Sequence, residues 1–382
     1  MKRIAVLGAG LVGSLIAREL AADGRYDVTA VDRSEEALGA LAGRGRLTTT
    51  RADLSSPGEI VRAVANADVV AGAVPGFLGT AMLKAVLAAK KPIADISFAP
   101  EDPLLLDGEA RRAGVPAVVD CGVSPGLSNL AAGRAESLLE KTDSIRILVG
   151  GLPVRRVKPF EYRIVFSATD VIEEYTRPAR LRENGRLVTK PALSDVEEIV
   201  FPSVGTLEAF LTDGLRTLLA TSKAPDICEK TLRYPGHAAA MRLLRDAGFF
   251  GETPIEVEGM RVRPRAVSER LLFADWRLPP GEEEITLLRV VVEGERGGRR
   301  ERRTFELFDR TDPKTGETSM ARTTGIPCVI VARLLADGAF GTPGIHPPEV
   351  LGKSTETYGA ILKGLSERGI RLAETAEEVP AA

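Results

Sequence analysis

Apolar residues in the first third of the chain fall in short, nearly unbroken runs at Ile4 to Leu7, Val69 to Val74, Ile93 to Ile96 and Ala117 to Asp120, with further strand signals at Tyr26 to Val31 and Leu47 to Leu54. Runs this short, without polar alternation, fit strands covered on both faces. Between them the spacing becomes helical. Leu11, Val12, Leu15, Ile16 and Leu20 share one side of a first helix, Ser34 opens a second and Pro57 a third. Strand and helix signals that alternate in this way predict an α/β fold of Rossmann type, a doubly wound parallel sheet with crossover helices.

The middle of the chain reads differently. Candidate strands at residues 144–149, 162–166, 186–189, 198–201, 285–292 and 304–309 follow one another more closely and predict a second, mixed α/β domain. Glu183-Asn184-Gly185 supplies a hairpin turn, whereas Gly294 to Arg303 reads as a charged, exposed loop. Residues 326–335 and 358–368 look helical and are expected to pack back on the first domain, with a frayed end after Glu374. The expected bounds are 1–122, 123–325 and 326–382.

Charge and cysteine usage narrow the class. A formal charge of −2, with acids and bases interspersed, gives no reason to expect a nucleic-acid or membrane partner. Lys2 and Arg3 precede an apolar stretch, but three regularly placed glycines and Arg18-Glu19 argue against a secretory leader. No run is read as a membrane span. Cys121, Cys228 and Cys328 form neither metal-ligand spacing nor a disulfide framework, so no metal is expected and a reducing, cytoplasmic location is.

The chemistry begins at Gly8-Ala9-Gly10-Leu11-Val12-Gly13, which follows a strand and opens a helix. Gly8 permits the tight turn, Gly10 lets the backbone approach a pyrophosphate and Gly13 lets helix and strand pack closely. Leu11 and Val12 complete the loop, and the helix N-terminus meets the phosphate charge. Asp32 ends the next strand, where a carboxylate accepts ribose hydroxyls and repels a 2'-phosphate. NAD is therefore expected over NADP, with Arg33 beside it tempering the preference. Further cofactor contacts are expected at Asp53, at Ala73, Val74 and Pro75, and at Asp95 and Ser97, all at strand ends. The segment from Asp120 to Asn129, DCGVSPGLSN, sits at another such end. Ser124 and Pro125 suit the start of a helix, leaving Asp120 and Asn129 as its unexplained polar residues.

Taken together, GAGLVG, DCGVSPGLSN, VGGLPVR from Val149, EYRIVFS from Glu161, LEAFLTDGLRT from Leu207, KTLRYPGH from Lys230 and MARTTG from Met320 resemble, in order, the landmarks of the saccharopine dehydrogenase-like enzymes. Within that family the chain looks most like the L-lysine 6-dehydrogenases. The resemblance implies a substrate domain that also mediates homodimer formation, and NAD- or NADP-linked oxidation at a carbon bearing nitrogen. For L-lysine the oxidation is at C6, with ammonia release and a semialdehyde that cyclises. Saccharopine reductases carry an aspartate and a tyrosine where this chain has Ser124 and Phe98, which suits a smaller amino acid.

The same motifs supply candidate substrate residues. Arg233, with Arg216 as second candidate, suits a carboxylate, Tyr234 can donate a hydrogen bond and Asp213 suits an ammonium. His237 is the leading general base, with Asp120 behind it. The alternatives are a saccharopine- or carboxynorspermidine-type oxidoreductase and a non-catalytic NAD-binding sensor.

Overall fold

The computed structural model describes residues 1–380. Strands β1 (Lys2–Leu7), β2 (Tyr26–Asp32), β3 (Leu47–Arg51), β4 (Val69–Gly72), β5 (Ile93–Asp95) and β6 (Pro116–Val118) alternate with helices α1 (Leu11–Ala22), α2 (Glu35–Gly39), α3 (Pro57–Val64), α4 (Gly76–Ala88) and α5 (Asp107–Ala113). Then come α6 (Leu127–Leu138), β7 (Lys141–Pro153), α7 (Ala168–Thr176), β8 (Ala179–Glu183), β9 (Arg186–Lys190), β10 (Glu197–Phe201), β11 (Gly205–Leu211), α8 (Leu218–Thr221), β12 (Asp226–Arg233) and α9 (His237–Asp246). The chain continues through β13 (Ile255–Val257), β14 (Met260–Val262), α10 (Pro264–Trp276), β15 (Glu284–Arg296), β16 (Arg299–Arg310) and α11 (Ser319–Ala336). It ends with β17 (Gly344–His346), α12 (Pro348–Lys353), α13 (Thr355–Ser366) and β18 (Leu372–Glu378).

Two compact units divide these elements: residues 1–140, 216–222 and 321–372 form the first, and residues 141–215, 223–320 and 373–382 the second. In this division α6 and all but the first two residues of α11 belong to the first unit. Its sheet runs in the order β17-β6-β5-β4-β1-β2-β3, with every pair parallel. The order reverses between β1 and β4, and in a doubly wound sheet that switch point opens the ligand crevice at the strands' carboxyl ends. One face is packed by Leu7, Val31, Ile60, Met82, Val86 and Ile93, all fully buried.

Very close backbone approach fixes the helices of this unit. A Cβ on Gly133 of α6 would stand 2.0 Å from the carbonyl of Glu349 in α12, and one on Gly352 of α12 would stand 2.1 Å from the carbonyl of Leu130. Within that seam Glu349 is fully buried; it accepts hydrogen bonds from Asn129 Nδ2 at 3.3 Å and Thr221 Oγ1 at 2.6 Å. Helix α11, where the sequence predicts no membrane span, is long and apolar enough to cross a membrane by length and composition, but 83% of it is buried. Gly325 accounts for part of that, lying flat against Leu15, Val12 and Ile16 of α1.

The second unit is built on a mixed sheet, β10-β11-β12-β7-β15-β16-β18, with β8 and β9 attached beside β12. Its one parallel pair among the described registers is β12 with β7. Asn184 and Gly185, with φ of +49° and +76°, make the expected turn between β8 and β9. Three expectations fail here. Residues 294–303 are no loop, because β15 and β16 pair residue by residue until only Gly297-Gly298 turns. Residues 162–166 are no strand: Ile164 N donates to Trp276 O at 2.7 Å, and the segment is packed into an aromatic core. The fraying expected after Glu374 does not hold for residues 375–378, since β18 joins the sheet and Glu374 pairs with buried Arg303 at 2.6 Å.

Replacing Gly133 with Ala forces α6 and α12 apart and should cost about 1–3 kcal/mol, as overpacking of a tight core does. Urea unfolding of the variant is expected to show a lower midpoint with unchanged slope.

Candidate functional site

The turn between β1 and α1 is shaped by what its glycines touch. A Cβ on Gly8 (φ +106°) would meet the carbonyl of Ala73 at 2.3 Å, and one on Gly13 would meet the carbonyl of Gly8 at 2.1 Å. Gly10 has nothing within 4 Å of its Cβ position, so its backbone faces open space where a pyrophosphate would approach. It caps α1 without a side-chain hydrogen bond, and Leu11 beside it is half exposed. Asp32 buttresses the loop, with one carboxylate oxygen accepting from Ala9 N at 2.7 Å and the other from Ser34 N at 2.8 Å. Arg33 is exposed. These residues fit a nicotinamide dinucleotide.

The neighbouring strand ends gather the other expected contacts. Ala73 N donates to Leu7 O at 2.8 Å; Val74 is buried and Pro75 exposed. Asp95, the buried last residue of β5, accepts from Ser97 N at 3.0 Å and Ser97 Oγ at 2.7 Å, and its carboxyl is pushed up to about 7 by burial. Asp53 is exposed beyond the end of β3, where its carboxylate caps Ser55, whose bonds hold it below the usual carboxylate range.

Asp120 and Arg216 form a buried pair in this unit. Arg216 Nη2 lies 3.2 Å from Asp120 Oδ1, and its Nη1 donates to the carbonyls of Ala99 and Glu101. The guanidinium also stacks on Phe98, 5.5 Å from the ring centroid. Both residues have left-handed backbones, φ +54° and +52°, a strain that non-glycine residues retain only where surroundings enforce it. Burial raises the Asp120 carboxyl, and its Oδ2 is buried with no hydrogen-bond partner. Arg216 is therefore committed to this unit and is not an open carboxylate anchor. Asn129 is likewise committed, through Ser128 and Glu349, to the seam between α6 and α12. That helix begins at Leu127 after Gly126, not at Ser124, because the chain folds back on Gly122 so tightly that a Gly126 Cβ would lie 1.8 Å from the Gly122 carbonyl.

Arg233, Tyr234, His237 and Asp213 lie in the second unit. Arg233 is buried, donates to Glu174 at 2.6 Å and lies over the Tyr162 ring. Tyr234 donates to Pro153 O at 2.9 Å, and Arg180 grips Asp213 through two nitrogens at 2.9 and 2.8 Å. His237 sits among Tyr162, Tyr175 and Trp276, with Nε2 2.9 Å from Tyr175 Oη and Nδ1 3.1 Å from Phe160 O. Burial, reinforced by Arg233, lowers its pKa to about 3. Neutral and bonded at both nitrogens, His237 lacks the open lone pair that a general base needs. The expectations for Arg233, Asp213 and His237 are revised accordingly.

Sequence reasoning missed Glu174, the partner of Arg233, and Glu229, a buried acid on β12 that accepts from Thr212 Oγ1 at 2.8 Å and is pushed up to about 8 by burial. A hydrophobic-polar alternation strict enough to mark β12 was absent; Glu229 and Lys230 interrupt it although both are buried.

A dinucleotide-binding Rossmann unit joined to a mixed-sheet unit defines a two-domain nicotinamide-linked oxidoreductase. Models of the saccharopine dehydrogenase NADP binding domain and of the saccharopine dehydrogenase C-terminal domain match residues 4–118 and 122–370, and the chain belongs to that family. It is 22% identical to the NADP(+), L-glutamate-forming saccharopine dehydrogenase of Schizosaccharomyces pombe, covering 98% of this chain and 99% of that protein. It is 24% identical to the alpha-aminoadipic semialdehyde synthase of Arabidopsis thaliana, over 90% of this chain and 40% of that protein. The solved apo saccharopine dehydrogenase (L-Glu forming) of Saccharomyces cerevisiae shares the fold, with a TM-score of 0.81, 21% identity and coverage of 99% and 100%. Because the matched cofactor domain and the fission-yeast relative are named for NADP, the expected ranking of NAD above NADP is withdrawn.

Asp95 has a carboxyl raised by burial, so the folded state holds its proton where the unfolded chain has lost it. Its contribution to stability is full below about pH 4 and is lost as pH rises through about 7. Asp95→Asn should therefore flatten the fall in melting temperature between those limits, as followed by scanning calorimetry.

Proposed function

We propose that the protein catalyses NAD(P)-linked oxidation of the carbon bearing the side-chain amine of a small amino acid, with L-lysine oxidised at C6 as the leading substrate. The observation that carries the choice of substrate is the state of the expected carboxylate anchors: Arg216 already holds Asp120, and Arg233 already holds Glu174. Saccharopine brings three carboxylates, and pairing of both guanidiniums leaves less positive charge to receive them. Phe98 and Ser124, which replace a tyrosine and an aspartate of the reductases, point the same way.

When bound, the nicotinamide supplies a hydride acceptor. The turn from Gly8 to Gly13 would hold the pyrophosphate, Asp32 the adenosine ribose, and residues 73–75 and 95–97 the nicotinamide end. The substrate amine must first become neutral, so that its lone pair can push hydride from C6 and leave an iminium. Asp120 is the proposed proton acceptor: its Oδ2 is buried and unpartnered, and Arg216 keeps its other oxygen in place. Water then adds to the iminium carbon and ammonia leaves. The resulting aldehyde condenses with the α-amine to a cyclic imine, losing water.

With L-lysine and either cofactor, reduced nicotinamide and ammonia should appear in equal amounts, at a rate that rises toward alkaline pH as the substrate amine, with a reference pKa of about 10.4, loses its proton. Asp120→Asn should lower kcat by about 100-fold or more at saturating cofactor, beyond any loss of cofactor affinity or melting temperature that discharging the Arg216 pair brings. Turnover of saccharopine and not lysine favours the reading that the relatives' names support; cofactor binding without turnover across amino acids favours a sensor.

Cofactor choice rests on Asp32 against Arg33. Asp32→Ala removes the negative charge that a 2'-phosphate meets and should raise the ratio of NADP to NAD affinity about tenfold, worth about 1.4 kcal/mol. Dissociation constants for both cofactors at one salt concentration measure it.

A further inference from the structure

Two segments of the first unit, the loop from Asp120 to Asn129 and the excursion from Arg216 to Ser222, are each stiff in themselves. The loop folds back on itself, with Leu127 N donating to Gly122 O at 2.9 Å and Ser128 N to Val123 O at 3.0 Å. The excursion is a single turn of helix, α8, in which Ala220 N and Thr221 N donate to Thr217 O at 2.9 and 3.0 Å. Two stiff pieces joined at one point can pivot about it. These are joined at both ends.

At one end Arg216 holds Asp120, its Nε and Nη2 standing 3.3 and 3.2 Å from Oδ1. At the other end Glu349 reaches both segments: Thr221 Oγ1 donates to its Oε1 at 2.6 Å and Asn129 Nδ2 to its Oε2 at 3.3 Å. Glu349 has little freedom of its own. It is fully buried, and its backbone is pressed against α6 so closely that a Cβ on Gly133 would stand 2.0 Å from its carbonyl oxygen. A buried carboxyl is a costly way to fill a seam that an apolar side chain would fill as well. What it adds is a direction for each of the two groups it binds.

We propose that Glu349 is a positioning residue: by joining Thr221 to Asn129 it stops the excursion from pivoting, so that Arg216 holds Asp120 with Oδ2, buried and without a hydrogen-bond partner, at a fixed angle to the substrate amine. This rests on the role of Asp120 as proton acceptor proposed above. A misplacement of about 1 Å at a reacting group can cost on the order of 100-fold in rate, which is what the second joint prevents.

The test reads Arg216 directly. In nitrogen-15 spectra of the full chain the Arg216 Nε–H signal, assigned by its absence in Arg216→Lys, should exchange slowly with water. Thr221→Val removes the donor to Glu349. Glu349→Asp withdraws the acceptor while leaving in place the bond from Thr221 Oγ1 to Thr217 O at 3.0 Å. Each should speed that exchange about tenfold and lower kcat for lysine about tenfold or more, with dissociation constants for the cofactor unchanged. Thr221→Ser, which keeps the hydroxyl, should restore both. Ser222→Ala, which cuts the neighbouring bond to Glu136 in α6, should move neither. Unchanged exchange in Thr221→Val and Glu349→Asp, equal acceleration in Ser222→Ala, or faster exchange with kcat intact overturns the proposal. Faster exchange in both variants of a protein whose wild type does not oxidise lysine supports the joint and strikes only the reading of the substrate.

Discussion

The buried pair of Asp120 and Arg216 is the constraint on which the rest of the cofactor-binding unit depends. The chain leaves the second sheet after β11, enters the first unit for residues 216–222 and returns for β12. Arg216 is the first residue of that excursion, and it reaches the end of β6 together with the carbonyls that follow β5. Removing one member of such a pair leaves the other charge buried and alone, at a cost of about 3–5 kcal/mol. The left-handed backbone at both residues adds strain that only this enclosure sustains. What the pair secures is one free carboxylate oxygen, Asp120 Oδ2, beside the strand ends that would hold a nicotinamide.

Close backbone approach does comparable work elsewhere in the unit. The turn of Gly8 and Gly13 packs against Ala73 with no room for a side chain, and Gly133 and Gly352 bring α6 and α12 into backbone contact. Gly10, by contrast, faces space. The difference separates glycines that pack the scaffold from the one that admits a ligand.

Much of the first unit was legible because β4, β5 and β6 are buried throughout, so apolar runs alone mark them, and because Gly8, Gly10, Gly13 and Asp32 stand at spacings that one backbone geometry demands. The second unit was harder to read. Its β12 buries Glu229, Lys230 and Arg233, whose polarity hides the strand, and the segment around Tyr162 carries strand-forming residues but serves an aromatic core. Site chemistry was legible by residue type and not by state. Arg216, Arg233, Asp213 and His237 are all where the motifs put them along the chain, yet each is already partnered, by Asp120, Glu174, Arg180 and Tyr175. Partners far away in sequence are what a linear pattern cannot display.

The central claim is that hydride leaves a carbon bearing nitrogen for the nicotinamide. Incubation with L-lysine dideuterated at C6, followed by mass analysis of the reduced cofactor, tests it most directly. The account predicts one deuterium on each reduced nicotinamide and a slower rate than with unlabelled lysine; reduced cofactor without deuterium would contradict it.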